Sequence, residues 1–164
     1  MSTETAETNA GNISATTDLV PLGWREWVAL PDLGINRIKA KVDTGARTSC
    51  LHTFRTEPYD ENGQRRVRFW VHPLQNDLHE VVECDAAILD ERMVSDSGGH
   101  RELRLVIETT LQVGDSHWPV EMTLTNRDTM RFRMLIGRTA MAGRSVVLPE
   151  SSYLAGEPVV RTKK

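Results

Sequence analysis

Ile38-Lys39-Ala40-Lys41-Val42-Asp43-Thr44-Gly45-Ala46-Arg47-Thr48-Ser49 is the stretch on which the fold turns. Its first half alternates apolar Ile38, Ala40 and Val42 with Lys39 and Lys41, the period of a half-buried strand. That strand runs without a break into Asp-Thr-Gly-Ala. Taken alone, the triplet reads equally well as a turn that ends a strand, because Asp and Gly both suit turn geometry.

Outward from this point the β signal continues in both directions. Trp24 to Leu30 reads as a strand, and Val67, Phe69 and Val71 alternate with Arg68, Trp70 and His72. Glu80 to Leu89, Leu103 to Glu108, Val120 to Thr125 and Arg131 to Gly137 supply further strands. Asn62-Gly63 sits between two strand-like segments, a strong hairpin signal. Gly114-Asp115 marks a second hairpin and Ser97-Gly98-Gly99 a third. Arg138 to Gly143 is the one short helix expected. Many strands with regular turn punctuation predict an all-β domain, closed or sandwiched.

The 164 residues suit one domain with a real core. Met1 to Leu19 carry almost no large apolar side chain, so residues 1–19 are expected to be a disordered tail. Residues 20–155 are expected to form the domain, and 156–164 a loose C-terminal tail. A net charge of −3 argues against a nucleic-acid or membrane-surface partner. No apolar run is long enough to span a bilayer. Two cysteines, Cys50 and Cys84, are too few for a disulfide framework and are expected to be reduced. With no secretory signal in the sequence, a cytoplasmic location is expected.

Far downstream of Asp43, Met134-Leu135-Ile136-Gly137-Arg138 places bulky apolar residues, a glycine and a basic residue ahead of the short helix. The pairing of Asp-Thr-Gly-Ala with apolar-apolar-Gly-Arg resembles the retroviral-type (retropepsin-like) aspartic proteases. Met93 to His100 sits where that family has its glycine-rich flap. Asp43 to Ser49, Val71-His72-Pro73, Ser97-Gly98-Gly99, Leu124 to Arg127 and Leu135 to Arg138 together look like a bacterial branch of it, labelled ATP-dependent zinc proteases and found beside ATP-grasp glutamate ligases. The resemblance covers about residues 22 to 150. It implies a closed acid-protease barrel with one short helix near its C-terminal end, and an aspartic peptidase acting on peptide or isopeptide bonds.

Such a peptidase needs two carboxylates that share one proton, because like charges at about 3 Å cannot both ionise. This chain has one Asp-Thr-Gly, so the second carboxylate must come from another subunit. The resemblance implies a homodimer pairing Asp43 with its twin, with Thr44 and Gly45 completing the catalytic loop. It places Ala46, Arg47, Ser97, Gly98, Gly99, Gly137 and Arg138 around the substrate. Arg47 stands where the retroviral enzymes usually carry an acid, so Arg47 and Arg138 are expected to repel unless an acid intervenes. A basic pair there also suits an acidic substrate or a carboxylate terminus.

No metal site is expected from the residues. His52, His72, His79, His100 and His117 have none of the spacings of zinc ligands, although His52 is placed to approach the cleft. Zinc enters through the family label alone, and no cofactor is expected. Two alternatives to the peptidase remain open: a non-catalytic peptide- or partner-binding module serving an ATP-grasp ligase, and a zinc-dependent hydrolase. The segment from Phe54 to Asp90 is long for this fold, and the sequence does not say whether it covers the cleft or builds an interface.

Overall fold

The computed structural model describes residues 18–75, 77–95, 98–126 and 131–158. Strands β1 (Val20–Leu22), β2 (Arg25–Leu30), β3 (Ile35–Val42) and β4 (Ser49–His52) lead into β5 (Arg55–Glu61), β6 (Gln64–Val71) and β7 (Val82–Ala87). Then come β8 (Asp90–Ser95), β9 (Arg101–Val113), β10 (Ser116–Thr125), β11 (Met134–Ile136), helix α1 (Arg138–Met141) and β12 (Ser145–Val147). The main sheet has the order β10-β4-β11-β3-β2-β9-β8. Because β9 also pairs with β10, six of these strands close into a ring and β8 hangs from β9 as a hairpin arm. The all-β class and the short helix agree with the sequence reading.

The ring closes over the inward half of each alternating strand. Ile35, Ile38 and Ala40 of β3 are fully buried, with Ile107 and Leu111 of β9, Met122 of β10, and Met134 and Ile136 of β11. Each large aliphatic side chain so buried contributes about 1.5–3 kcal/mol. The segment after Phe54 forms its own antiparallel sheet, β5-β6-β7. Its turn has Asn62 at φ 54° and Gly63 at φ 80°, the two positive values a two-residue hairpin of primed type requires. Val67, Phe69, Val71 and Cys84 point from this sheet into the common core.

Two details set up the functional end of the molecule. First, β3 and β11 run parallel, with Ala40 opposite Met134 and Val42 opposite Ile136. The chain therefore leaves both strands at the same end, which brings Asp43 beside Gly137. Second, the segment after β12 is strapped across the start of β2. Buried Glu26 accepts hydrogen bonds from the backbone N–H of Gly23 (2.6 Å), Leu154 (2.9 Å) and Ala155 (3.1 Å). Gly23 passes so close to Ser151 that a Cβ there would lie 2.1 Å from the Ser151 carbonyl oxygen.

The structure differs from the sequence reading in strand lengths and in strands that reading did not name, β4 and β8 among them. Glu80 to Leu89, read as one strand, is β7 followed by a break before β8; β9 runs on to Val113. Arg131 to Gly137 shrinks to three strand residues, and β1 and β12, a short parallel pair, had no signal beyond a few apolar residues. The expected tail over residues 1–19 lies almost wholly outside the described residues, as does the chain from 159 onward. Among the described residues no helix is long and apolar enough to cross a membrane.

Candidate active site

Asp43 follows β3 directly, and its backbone N–H donates to the Ile136 carbonyl at 2.9 Å. Its carboxylate Oδ1 accepts the Gly45 N–H at 3.0 Å, and its carbonyl accepts the Ala46 N–H at 3.2 Å, so the loop is a tight turn folded around its own aspartate. The second loop locks onto the first. Arg138 N–H donates to the Ala46 carbonyl at 2.8 Å and Thr139 N–H to the Arg47 carbonyl at 3.0 Å. Gly137 N–H donates to the buried Ser49 hydroxyl at 3.0 Å. A Cβ on Gly137 would sit 2.6 Å from the Thr48 carbonyl carbon, so only glycine lets the two loops approach this closely.

The Arg138 guanidinium finds its partners in the backbone of the Asp43 loop. Its Nη1 donates to the carbonyls of Thr44 (3.0 Å) and Gly45 (3.2 Å), stapling the tip of the Asp43 loop from outside. The expected clash of Arg47 with Arg138 is avoided by position: Arg47 turns to the cavity and Arg138 to the loop's outer carbonyls.

A cavity of about 740 Å³ opens above Asp43. Its floor is Asp43, Gly45, Ala46, Arg47 and Thr48, and the hairpin arm from Arg92 to Ser95, with Gly98, forms one wall. The far wall comes from Cys50 and His52 of β4, Thr123 of β10 and Arg104 of β9. Cys50 and His52 lie two residues apart, so β4 turns both to this side, while Ser49 reaches back to Gly137. Thr123 is directly opposite Cys50 in the β10–β4 ladder.

Three arginines line this space with Asp43. Arg92 is held by Asp90 (3.0 Å) and Glu121 (2.8 Å). Arg104, with a side chain 10% exposed, pairs with Glu102 at 3.0 Å and reaches the Cys50 sulfur at 3.4 Å. Glu102 is braced in turn by the Thr125 hydroxyl at 3.1 Å.

Of the residues singled out in the sequence, Asp43, Gly45, Ala46, Arg47 and Gly98 line the cavity together, and so does His52. Gly137 and Arg138 brace the Asp43 loop from behind, Thr44 lends its carbonyl to Arg138, and Gly99 lies in the arm's tip outside the lining. Ser97 lies outside the described residues. Arg92, Arg104, Cys50 and Thr123 were not singled out as lining residues, because nothing local says which face of their strands covers the cavity. Among its described residues, the 54–90 segment gives the cavity none. Among the described residues no group of three or more His, Cys, Asp or Glu could hold a metal ion.

A closed β-ring with an Asp-Thr-Gly loop locked to a Gly-Arg loop beneath a hairpin arm defines a retropepsin-like, aspartic-peptidase type of fold. The chain belongs to the RimB-like family, described as retropepsin-like aspartic endopeptidase RimB, which matches residues 21–158. It is 46% identical over 141 residues to a probable alpha-L-glutamate ligase of Parasynechococcus marenigrum, covering 86% of this chain and 30% of that one. It is 43% identical over 136 residues to a protein of the same name from Shewanella pealeana, covering 83% and 30%. The chain thus spans about 30% of the length of the curated relatives it matches. The crystal structure of Lpg0085, a Legionella pneumophila protein of unknown function, superposes with a TM-score of 0.69 over 83% of this chain and 98% of that one, at 22% identity.

Proposed function

We propose that this chain is one subunit of a homodimeric aspartic endopeptidase that cleaves α-glutamyl peptide bonds of the kind a glutamate ligase forms. One observation carries the reading: the carboxylate of Asp43 stands on the floor of a cavity that an arm of the chain partly encloses. The rest of the loop is arranged to keep it there, through the Ile136 carbonyl behind it and the Arg138 staple outside it.

The chemistry follows from pairing. Two Asp43 carboxyl groups facing each other hold one proton between them. The ionised one takes a proton from a bound water as its oxygen attacks the peptide carbonyl carbon. The protonated one donates to the carbonyl oxygen. As the tetrahedral gem-diol collapses, one of its hydroxyls returns a proton to the carboxyl pair and the C–N bond breaks, while the leaving nitrogen takes a proton from the pair, which again holds one. Thr44 and Gly45, exposed at the loop tip, are the residues a twin loop would meet.

Substrate class rests on two supports. Relatives that share this segment are named for joining α-L-glutamate. Arg47 offers the cavity a guanidinium for a carboxylate side chain, while Arg92 and Arg104 are already paired with Asp90, Glu121 and Glu102. The location this reading implies is the cytoplasm, where a ligase and its product would be met. A second reading, a non-catalytic module that binds peptide for a ligase, draws on the same relatives, since the shared segment is the smaller part of those proteins.

Cleavage of an oligo-L-glutamate peptide by wild type and Asp43→Asn, with sedimentation of both, separates the two. The peptidase reading expects a dimer whose activity falls by about three orders of magnitude or more in the variant. A monomer that binds peptide and never cuts it, before or after the substitution, establishes the module.

A further inference from the structure

Away from the cavity, the outer face of β2 and β3 carries a ladder of cations set on aromatic rings. Arg25 lies opposite Lys41, and Trp27 opposite Lys39, so these side chains share one face. The Arg25 guanidinium sits 4.5 Å from the Trp24 ring centre and 5.0 Å from that of Tyr153. Arg37 lies 4.0 Å over Trp27, and the Lys39 ammonium is 5.3 Å from the same ring. Trp27 and Tyr153 stack at 6.3 Å, and Arg25 bridges Tyr153 to Trp24.

We propose that this face is an exosite for the acid-rich tail of a peptide substrate, bound as an extended strand of carboxylate side chains; the proposal rests on the glutamyl-peptide reading above. Arg37, Lys39 and Lys41 project from alternate positions of β3, about 6.6 Å apart along the strand. An extended peptide repeats its same-side side chains at that interval, so successive carboxylates on one side meet successive cations. A guanidinium held over a ring still has N–H groups at its edge to donate, Arg25 using its Nε for the Ser152 hydroxyl at 3.2 Å, and it loses little rotamer entropy on pairing because the ring already holds it.

One carboxylate of the chain is already seated there. Glu157 approaches Arg37 at 3.6 Å, with both side chains about half exposed, a weak surface pair that a tail would displace. The same arrangement argues against nucleic acid. Trp24, Trp27 and Tyr153 each already carry a cation on the ring, whereas single-stranded bases need bare rings on which to stack. The ladder also leads directly to the reaction centre, since β3 continues from Lys41 through Val42 into Asp43.

The test uses the full chain carrying Asp43→Asn and fluorescently labelled oligo-L-glutamate of short and long lengths. Affinity should rise with length and weaken with salt. Arg37→Glu/Lys39→Glu in that background should lower affinity for the long peptide by about tenfold and leave the short one unchanged, with Arg37→Lys/Lys39→Arg restoring it. Equal affinity for both lengths, an unaffected charge-reversal variant, or tighter binding of single-stranded RNA than of oligo-glutamate would overturn the exosite. Length-dependent binding lost on charge reversal, in a protein whose Asp43 form cuts nothing, would keep the exosite and remove the peptidase.

Discussion

At the ends of β3 and β11 backbone meets backbone: Gly137 against Thr48, Asp43 N–H on the Ile136 carbonyl, Arg138 N–H on the Ala46 carbonyl. On the outer face of β5, β6 and β7, side chain meets side chain. Arg66 bonds Asp85 at 2.7 Å, Tyr59 donates to the same carboxylate, and Arg68 approaches Glu83 at 3.5 Å. The first region has no slack, because a backbone atom cannot swing away from an added methyl group. The second is solvated and adjustable, because long side chains re-pair or turn to water. The geometry of the Asp43 loop is fixed by glycines and amides. Geometry that only has to be soluble is left to charges.

The most direct way to break this contrast is Gly137→Ala. The added Cβ has no room, so we expect a loss of about 3 kcal/mol of stability in urea unfolding. A loss below about 1 kcal/mol would mean that the loops adjust, and the contrast would fail.

Ser49→Ala asks the same question more gently. It removes the hydroxyl that accepts the buried Gly137 N–H without adding bulk, and should cost about 1–2 kcal/mol in the same titration. Activity should fall with it, since the same bond aligns the two loops.

Asp85→Asn, on the charged sheet, should cost about 0.5 kcal/mol. Its pH signature sharpens the comparison. Desolvation pushes the Asp85 carboxyl up, but hydrogen bonds from Tyr59 and Arg66 and the charges of Arg66 and Arg68 together outweigh it and hold the group below its ordinary 3.8. A depressed carboxyl adds stability that is complete above its unfolded value and is lost as pH falls through the folded one. Unfolding below about pH 4 should therefore show a wild-type loss that Asp85→Asn lacks, whereas the penalty of Gly137→Ala should be the same with or without Asp85.

The smallest effect is chemical. Burial pushes the Cys84 thiol up to about 12, with the charge of Glu83 adding to it. At pH 8 a thiol reagent should modify Cys84 only as the protein unfolds. Rapid labelling in the native state would show that the β5–β7 sheet opens as a unit.

Much of this was legible along the chain. The alternation in β3, β6, β9 and β10 gave an all-β fold because a half-buried strand must alternate. Asp43 and Gly137 stood out because a strand-ending Asp-Thr-Gly and an apolar-Gly-Arg are local patterns. Arg92 and Arg104 were not legible as cavity residues, since a strand shows two faces and only its neighbours decide which one is enclosed. The short strands β1 and β12 were missed because three residues give no period.

The amino-acid order by itself determined the all-β class, several of the strands, where the chain turns tightly, and that the chain holds one Asp-Thr-Gly loop. Only the tertiary structure decided that β3 and β11 run parallel and end together, that Arg138 grips the loop carbonyls, that three arginines line one cavity with Asp43, and that cations of β2 and β3 lie over aromatic rings. The reason is that periodicity is a property of neighbours along the chain. Which strand lies beside which is settled by closing the ring, where burial and backbone pairing are satisfied for all strands at once.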